Sequence, residues 1–179
     1  MEVLDCILTE IADVIHKVNG EELNQFVSGI TKDKRIFVDG EGRSGLMAKG
    51  FAMRLMHLGY TVYVVGETIT PAVSENDVFI AFSGSGESQG VLVDTRKAAE
   101  NGSTILAVTS KSGSSLAKLA KSVLIIPGTT KSDSGESRGS MQLLSSLFDQ
   151  SLHITLDAVC LMLSRRDQMS NEAATKLHW

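Results

Sequence analysis

Only two cysteines, Cys6 and Cys160, occur in the 179 residues, too few and too far apart for a disulfide framework or a thiolate metal cluster. They read as reduced thiols with no catalytic part. Only two prolines interrupt the chain, which disfavours a linker-rich or disordered architecture. No run of about 18 apolar residues offers a membrane span, and no basic segment leads into an apolar run at the amino end. The expectation is a cytoplasmic protein with no membrane partner. Excess positive charge is lacking too: a net charge of −4 leaves no field to attract a nucleic-acid backbone, so nucleic acid is excluded as a general partner. An anionic small molecule would have to be met by local donors.

What remains is an ordinary globular composition, 42% hydrophobic, in a chain long enough for one sizeable core but short of two. A single domain spanning 1–179 is expected. Leu4, Ile7, Leu8, Ile11, Val14, Ile15 and Val18 recur at helical spacing, and Glu21 opens a second helical piece. Then the pattern changes. A β-rich run from Arg35 to Gly40 leads through Gly42-Arg43-Ser44-Gly45 into a helical segment reaching His57, and the alternation repeats. Strands are expected at Thr61 to Val65, Val78 to Phe82, Thr104 to Val108 and Val123 to Ile126, with helices around Gln89 to Glu100 and Ser114 to Ala120. Strands alternating with helices imply an α/β fold: a doubly wound, three-layer sandwich of about five parallel strands with terminal helices, its ligand beyond the strands' carboxyl ends.

Residues 128–135 are polar and breaker-rich, suited to an exposed loop or a lid. Beyond them, apolar residues from Leu143 and Leu144 to Leu163 mark a long helix that is apolar around most of its circumference. The Leu46 to Leu58 helix is similarly apolar except at Lys49, Arg54 and His57, so both helices ask for more cover than one sheet face gives. A homo-oligomer is inferred.

Chemistry concentrates where Val78-Phe79-Ile80-Ala81-Phe82 ends in Ser83-Gly84-Ser85-Gly86-Glu87-Ser88 and a helical pattern begins at once. Glycines let backbone approach a ligand, serine hydroxyls and helix N-terminal N–H groups donate, and the helix dipole adds partial positive charge. Such a loop suits phosphate without lysines. A Ser-Gly hexapeptide elsewhere would be a linker, but between an apolar strand and a helix a flexible linker has no place. It is neither a Walker A loop, because no lysine follows, nor a dinucleotide fingerprint; Gly40-Glu41-Gly42-Arg43-Ser44-Gly45 fits Gly-x-Gly-x-x-Gly only with Gly45 as its last glycine. Arg43 and Ser44 occupy the same strand-to-helix setting and either add donors to the ligand or, for Arg43, pair with Glu41 or Glu67.

Together these residues resemble the SIS-domain family, and within it the 6-phospho-3-hexuloisomerases. The resemblance rests on Gly42 to Lys49, Phe51 to Gly59, Val65-Gly66-Glu67-Thr68, Thr70-Pro71, the serine loop and Ser146 to Gln150, and so covers nearly the whole chain. It implies a flavodoxin-like sheet, a homotetramer, no metal or organic cofactor, and interconversion of a 3-hexulose 6-phosphate with fructose 6-phosphate. Carried over by position, Ser44, Ser83, Ser85 and Ser88 would hold phosphate, with Arg43, Gly84, Gly86 and Glu87 beside them. Moving a carbonyl from C3 to C2 through an enediol needs a base beside the sugar, and Asp149 and His57 match.

This sequence has Asp149 where the family usually has glutamate, and Leu143, Leu144 and Ser145 where it commonly has proline, methionine and glycine. Without the resemblance, Asp149 would read as a surface residue and His57 as a helix-ending one. His178 only partly matches the family's tail, His16 and His153 read as ordinary helix residues, and Glu67 and Glu87 either orient donors or anchor loops. The competing function is a non-catalytic phosphosugar-binding or sensing protein, or an isomerase of another phosphosugar.

Overall fold

A computed structural model describes residues 2–179. The amino-terminal periodicity resolves into two helices, α1 (Glu2–Ile15) and α2 (Gly20–Ser28), the second capped by Asn19, whose side chain accepts from Glu21 N at 2.8 Å. The alternating part follows as β1 (Ile36–Gly40), α3 (Gly42–His57), β2 (Val62–Val64), β3 (Val78–Phe82), α4 (Gln89–Glu100), β4 (Thr104–Thr109), α5 (Ser115–Leu119) and β5 (Ser122–Ile125). A 3-10 turn at Gly135–Arg138 precedes α6 (Ser146–Arg166) and the short α7 (Asn171–Thr175).

The five strands are all parallel in the order β2-β1-β3-β4-β5. This is the flavodoxin-like doubly wound order, with its switch point between β1 and β3. Residues alternate across the sheet, and so does the core. Ile36, Val38, Ile80 and Phe82 pack under α1, α2, α3 and α6 with Phe26, Leu55, Phe148 and Leu152, whereas Phe37, Phe79, Ala81 and Ile105 pack under α4 and α5 with Val91, Leu92 and Leu116. Both faces are covered, which is why β3 and β4 are near-continuous apolar runs. At the strands' amino ends Arg35 makes a bidentate pair with buried Asp77, at 2.8 and 2.6 Å, tying the start of β1 to that of β3.

One expectation is corrected. Leu143 and Leu144 do not belong to the long helix: they lie in the preceding loop, 79% and 70% exposed, Leu144 with a left-handed φ of 52°, and α6 starts at Ser146. Their apolar character had extended the periodicity by one turn. The carboxyl end also forms α7, too short and polar to leave a periodic signal.

Candidate functional site

β1 and β3 lie side by side, Gly40 level with Phe82, so the loops that leave them open next to each other. From there α3 crosses to one face and α4 to the other, leaving a crevice. The first loop is drawn tight: a Cβ on Gly45 would come within 2.3 Å of the Gly40 carbonyl oxygen, and Gly42 has φ +57°. That packing seats the first turn of α3 directly on the strand end and holds Arg43 and Ser44 over the crevice.

The serine loop is built as a self-bonded bowl. Ser83, buried, accepts from Gly86 N–H at 3.1 Å and shares a hydrogen bond with Ser88 at 3.0 Å, and Ser85 Oγ accepts from Glu87 N–H at 3.2 Å. Ser88 is the N-cap of α4 but its side chain makes no cap bond, so first-turn N–H groups of α4 lack intrahelical partners.

A third wall comes from the far end of the sequence. After β5 the chain passes so close to α6 that a Cβ on Gly128 would lie 2.6 Å from Phe148 Cα. Thr130 and Lys131 then reach the crevice, and the loop returns through Leu144 and Ser145 to the first turn of α6 with Ser146 and Asp149. Glu10 of α1 pins this return from outside, accepting from Ser140 Oγ at 2.8 Å, Met141 N–H at 2.8 Å and Gln142 Nε2 at 2.9 Å. Burial acts against the Glu10 carboxylate, but these donors outweigh it and hold its pKa below the ordinary range.

The three walls enclose a cavity of about 380 Å³, a volume usual for small-molecule sites. Its lining includes Glu41, Arg43, Ser44, Gly84, Ser85, Ser88, Thr130, Lys131, Ser145, Ser146 and Asp149. The amino ends of α3, α4 and α6 all open onto it, so three helix dipoles point positive ends at one space, each worth about 0.3–1 kcal/mol toward an anion. Glu41 and Asp149 are the acidic exceptions, and the buried one is Asp149. It is 2% exposed, its Oδ1 accepts from Ser44 Oγ at 2.6 Å, and burial raises its pKa above the ordinary carboxylate value although Ser44 and the Arg43 charge oppose the shift. A carboxylate raised in this way and held by one short donor is chemically a proton acceptor.

Arg43 donates to Ser146 Oγ at 3.0 Å, bridging α3 and α6, while Glu67 lies 3.9 Å from Lys49, so the carboxylate pairing for Arg43 does not form. Of the residues expected to hold substrate, Arg43, Ser44, Gly84, Ser85 and Ser88 line the cavity. Ser83, Gly86 and Glu87 do not. Ser83 and Gly86 shape the loop from below, a Cβ on Gly86 meeting Ser114 Oγ at 2.2 Å. Glu87 turns outward to accept from Ser115 N–H at 2.7 Å at the start of α5, which lowers its pKa.

His57 does not join Asp149 within the chain. Ser44 and His57 stand thirteen positions apart on α3, about 20 Å along its axis. His57 is buried there against His178, ring centroids 5.0 Å apart, beside a separate small cavity lined by Arg54 and Asn171, and burial lowers its pKa with the His178 and Arg54 charges adding to the effect.

Sequence reasoning missed Glu41, Thr130, Lys131, Ser145 and Ser146. Glu41 stood in view inside the first loop and Ser146 at the start of the stretch Ser146 to Gln150; Thr130, Lys131 and Ser145 carried no motif. Among the described residues no cluster of three or more His, Cys, Asp or Glu could hold a metal ion, and no helix is long and apolar enough to cross a membrane.

Comparison with known proteins gives a consistent picture. The SIS domain matches residues 29–154. A 3-hexulose-6-phosphate isomerase of Bacillus subtilis is 38% identical over 172 residues, covering 96% of this chain and 93% of that protein. One of Mycobacterium gastri is 43% identical over 156 residues, covering 87% and 78%. A crystal structure from Methanococcus jannaschii, from which a 3-hexulose-6-phosphate isomerase function was inferred, superposes with a TM-score of 0.84 at 32% identity, covering 100% of this chain and 98% of that one.

Proposed function

The chain belongs to the SIS-domain family, and from that premise we propose that it is a sugar-phosphate isomerase interconverting 3-hexulose 6-phosphate and fructose 6-phosphate. The observation that carries the reading is Asp149: a buried carboxylate of raised pKa, bonded to Ser44, in a cavity otherwise built to receive an anion. Phosphate sits against Ser85, Ser88 and the first turn of α4, which anchors the sugar with its carbonyl end toward α6. Asp149 takes the C2 proton to give the enediol and returns it at C3. Ser44 and Arg43 orient the carboxylate, and the loop 130–145 covers the sugar.

Aspartate stands where the family usually has glutamate, so its shorter reach must be met by the position of α6. Arg43 bonded to Ser146 and Ser44 bonded to Asp149 support that reading, since both draw the first turn of α6 onto α3. Leu46, Met53 and Met56 on α3 and Ile69 beyond β2 are 62%, 49%, 40% and 82% exposed, and support burial against further copies of the chain in a homo-oligomer, a tetramer by the family's habit. Light scattering on the purified protein tests the assembly, and a monomer at micromolar concentration refutes it.

The test of function is turnover of the two ketose phosphates by wild type and by Asp149→Asn, with inorganic phosphate affinity measured alongside. Loss of turnover by about a hundredfold or more with phosphate affinity kept is expected. Turnover unchanged in Asp149→Asn removes the assigned base, and phosphate binding by the wild type without turnover makes the chain a phosphosugar-binding protein. Combined Ser85→Ala and Ser88→Ala substitution is expected to weaken phosphate; unaltered affinity removes the phosphate seat.

A further inference from the structure

Proton abstraction beside a carbonyl places negative charge on the carbonyl oxygen, and stabilising that charge is commonly the largest part of such catalysis. At the Asp149 end of the cavity Ser44 O–H is donated to Asp149, and one Arg43 nitrogen donates to Ser146 Oγ. Lys131 is different. It lines the same cavity, and among the described residues its ammonium forms no ion pair, whereas the nearby Lys111 is held by Asp133 at 2.6 Å.

The backbone under Lys131 is fixed rather than loose. Its N–H donates to Ser145 Oγ at 3.0 Å, and the preceding Thr130, 1% exposed, donates from N and Oγ1 to Asp133 Oδ2 at 2.7 and 3.0 Å. The carbonyl of Ser145 in turn accepts from Asp149 N–H at 2.9 Å. Lys131 is therefore tethered, through one residue, to the turn of helix that carries the base. A lysine's stem is long and flexible, and its compact charge donates to an oxyanion from any of three protons.

We propose that Lys131 is a catalytic residue of the isomerisation, donating a hydrogen bond from its ammonium to the carbonyl oxygen as the enediolate forms; this rests on the isomerase reading above. Asp149 takes the C2 proton, the C2–H electron pair becomes the C2–C3 double bond, and the carbonyl pair moves onto the C3 oxygen facing Lys131. The C2 hydroxyl proton passes to the C3 oxygen, the C2 carbonyl forms, and Asp149 returns its proton to C3. Lys131 remains protonated throughout and no electrons leave the sugar.

The full-length protein with Lys131→Met and Lys131→Arg separates this role from phosphate binding and from a structural one. Steady-state kinetics with fructose 6-phosphate and calorimetry with inorganic phosphate are read on each. Lys131→Met is expected to lower kcat by about a hundredfold or more, the cost of removing an oxyanion donor, with phosphate affinity within about threefold of wild type and Lys131→Arg recovering part of the rate. A kcat within about threefold of wild type overturns the proposal, as does a loss confined to phosphate affinity, which would make Lys131 a phosphate ligand. A wild-type chain that binds phosphate but turns over neither ketose phosphate overturns the isomerase reading, and the role of Lys131 falls with it.

Discussion

Replacing Asp39 by asparagine should make the protein's stability less sensitive to the rise of pH from 3.8 to about 6, by an amount set by one buried oxygen. Asp39 lies near the end of β1 on the same sheet face as Phe37, its Oδ2 is buried without a hydrogen-bond partner, and Asp94 of α4 and Glu41 add negative charge nearby. Burial, with the Asp94 charge second, raises its pKa from 3.8 to about 6. Because the folded state holds this proton more tightly than the unfolded chain, the contribution of Asp39 to stability is highest at the acid end and falls as pH rises between those two values. A shift of roughly two units corresponds to about 3 kcal/mol at most, and because the residue is only half-buried, solvent screening reduces this to about 1.5 kcal/mol.

Urea unfolding of wild type and Asp39→Asn, at about pH 4.5 and about pH 8, gives the stability difference at each pH. Any constant cost of placing an amide there cancels between the two pH values, as do the titrations of groups that do not interact with Asp39. The variant should gain about 1 kcal/mol on the wild type across that interval, with the change centred below about pH 6. An equal difference at both pH values, or a gain toward acid, refutes the reasoning.

Two further outcomes test the packing that positions the site. Gly45→Ala is expected to cost about 2–4 kcal/mol and most of the turnover, because the new methyl meets the Gly40 backbone; Gly50→Ala, in open space on the same helix, should stabilise by about 0.5–1 kcal/mol. Thermal unfolding of both variants checks this, and similar melting temperatures would refute the close-approach argument. Glu10→Ala removes three hydrogen bonds from the loop 140–142 and should expose it to proteolysis and raise KM, an effect that acid should mimic in the wild type once pH falls through the lowered Glu10 pKa. An unchanged cleavage pattern would show that the carboxylate does not hold the loop.

Much of this architecture was legible because the sheet is covered twice: β1, β3 and β4 are short apolar runs bounded by glycine or polar turns, and the helices between them keep a clear period. The serine loop was legible for the same reason, its neighbours fixing what it is. Asp149 was not, since an aspartate in the first turn of an apolar helix has no local signature, and only the resemblance singled it out. Glu87 looked like a ligand because it sits in the right loop, but the side chain answers to the unpaired Ser115 N–H at α5. The separation of His57 from Ser44 could have been counted along a single helix. Thr130 and Lys131 were legible only as part of a loop or lid, and Ser145 only as a departure from the family's pattern, since what brings them to the cavity is a set of tertiary hydrogen bonds in an irregular segment.

That segment, residues 126–145, is long for a connection between two packed elements, and a chain of its length closes at a large entropic cost unless something divides it. Glu10 divides it, and Glu10 belongs to a helix outside the region matched by the SIS domain. The cavity's outer wall thus depends on a helix that lies outside that matched region. Changes in the amino-terminal helix can therefore retune access to the site while every residue that lines it stays the same.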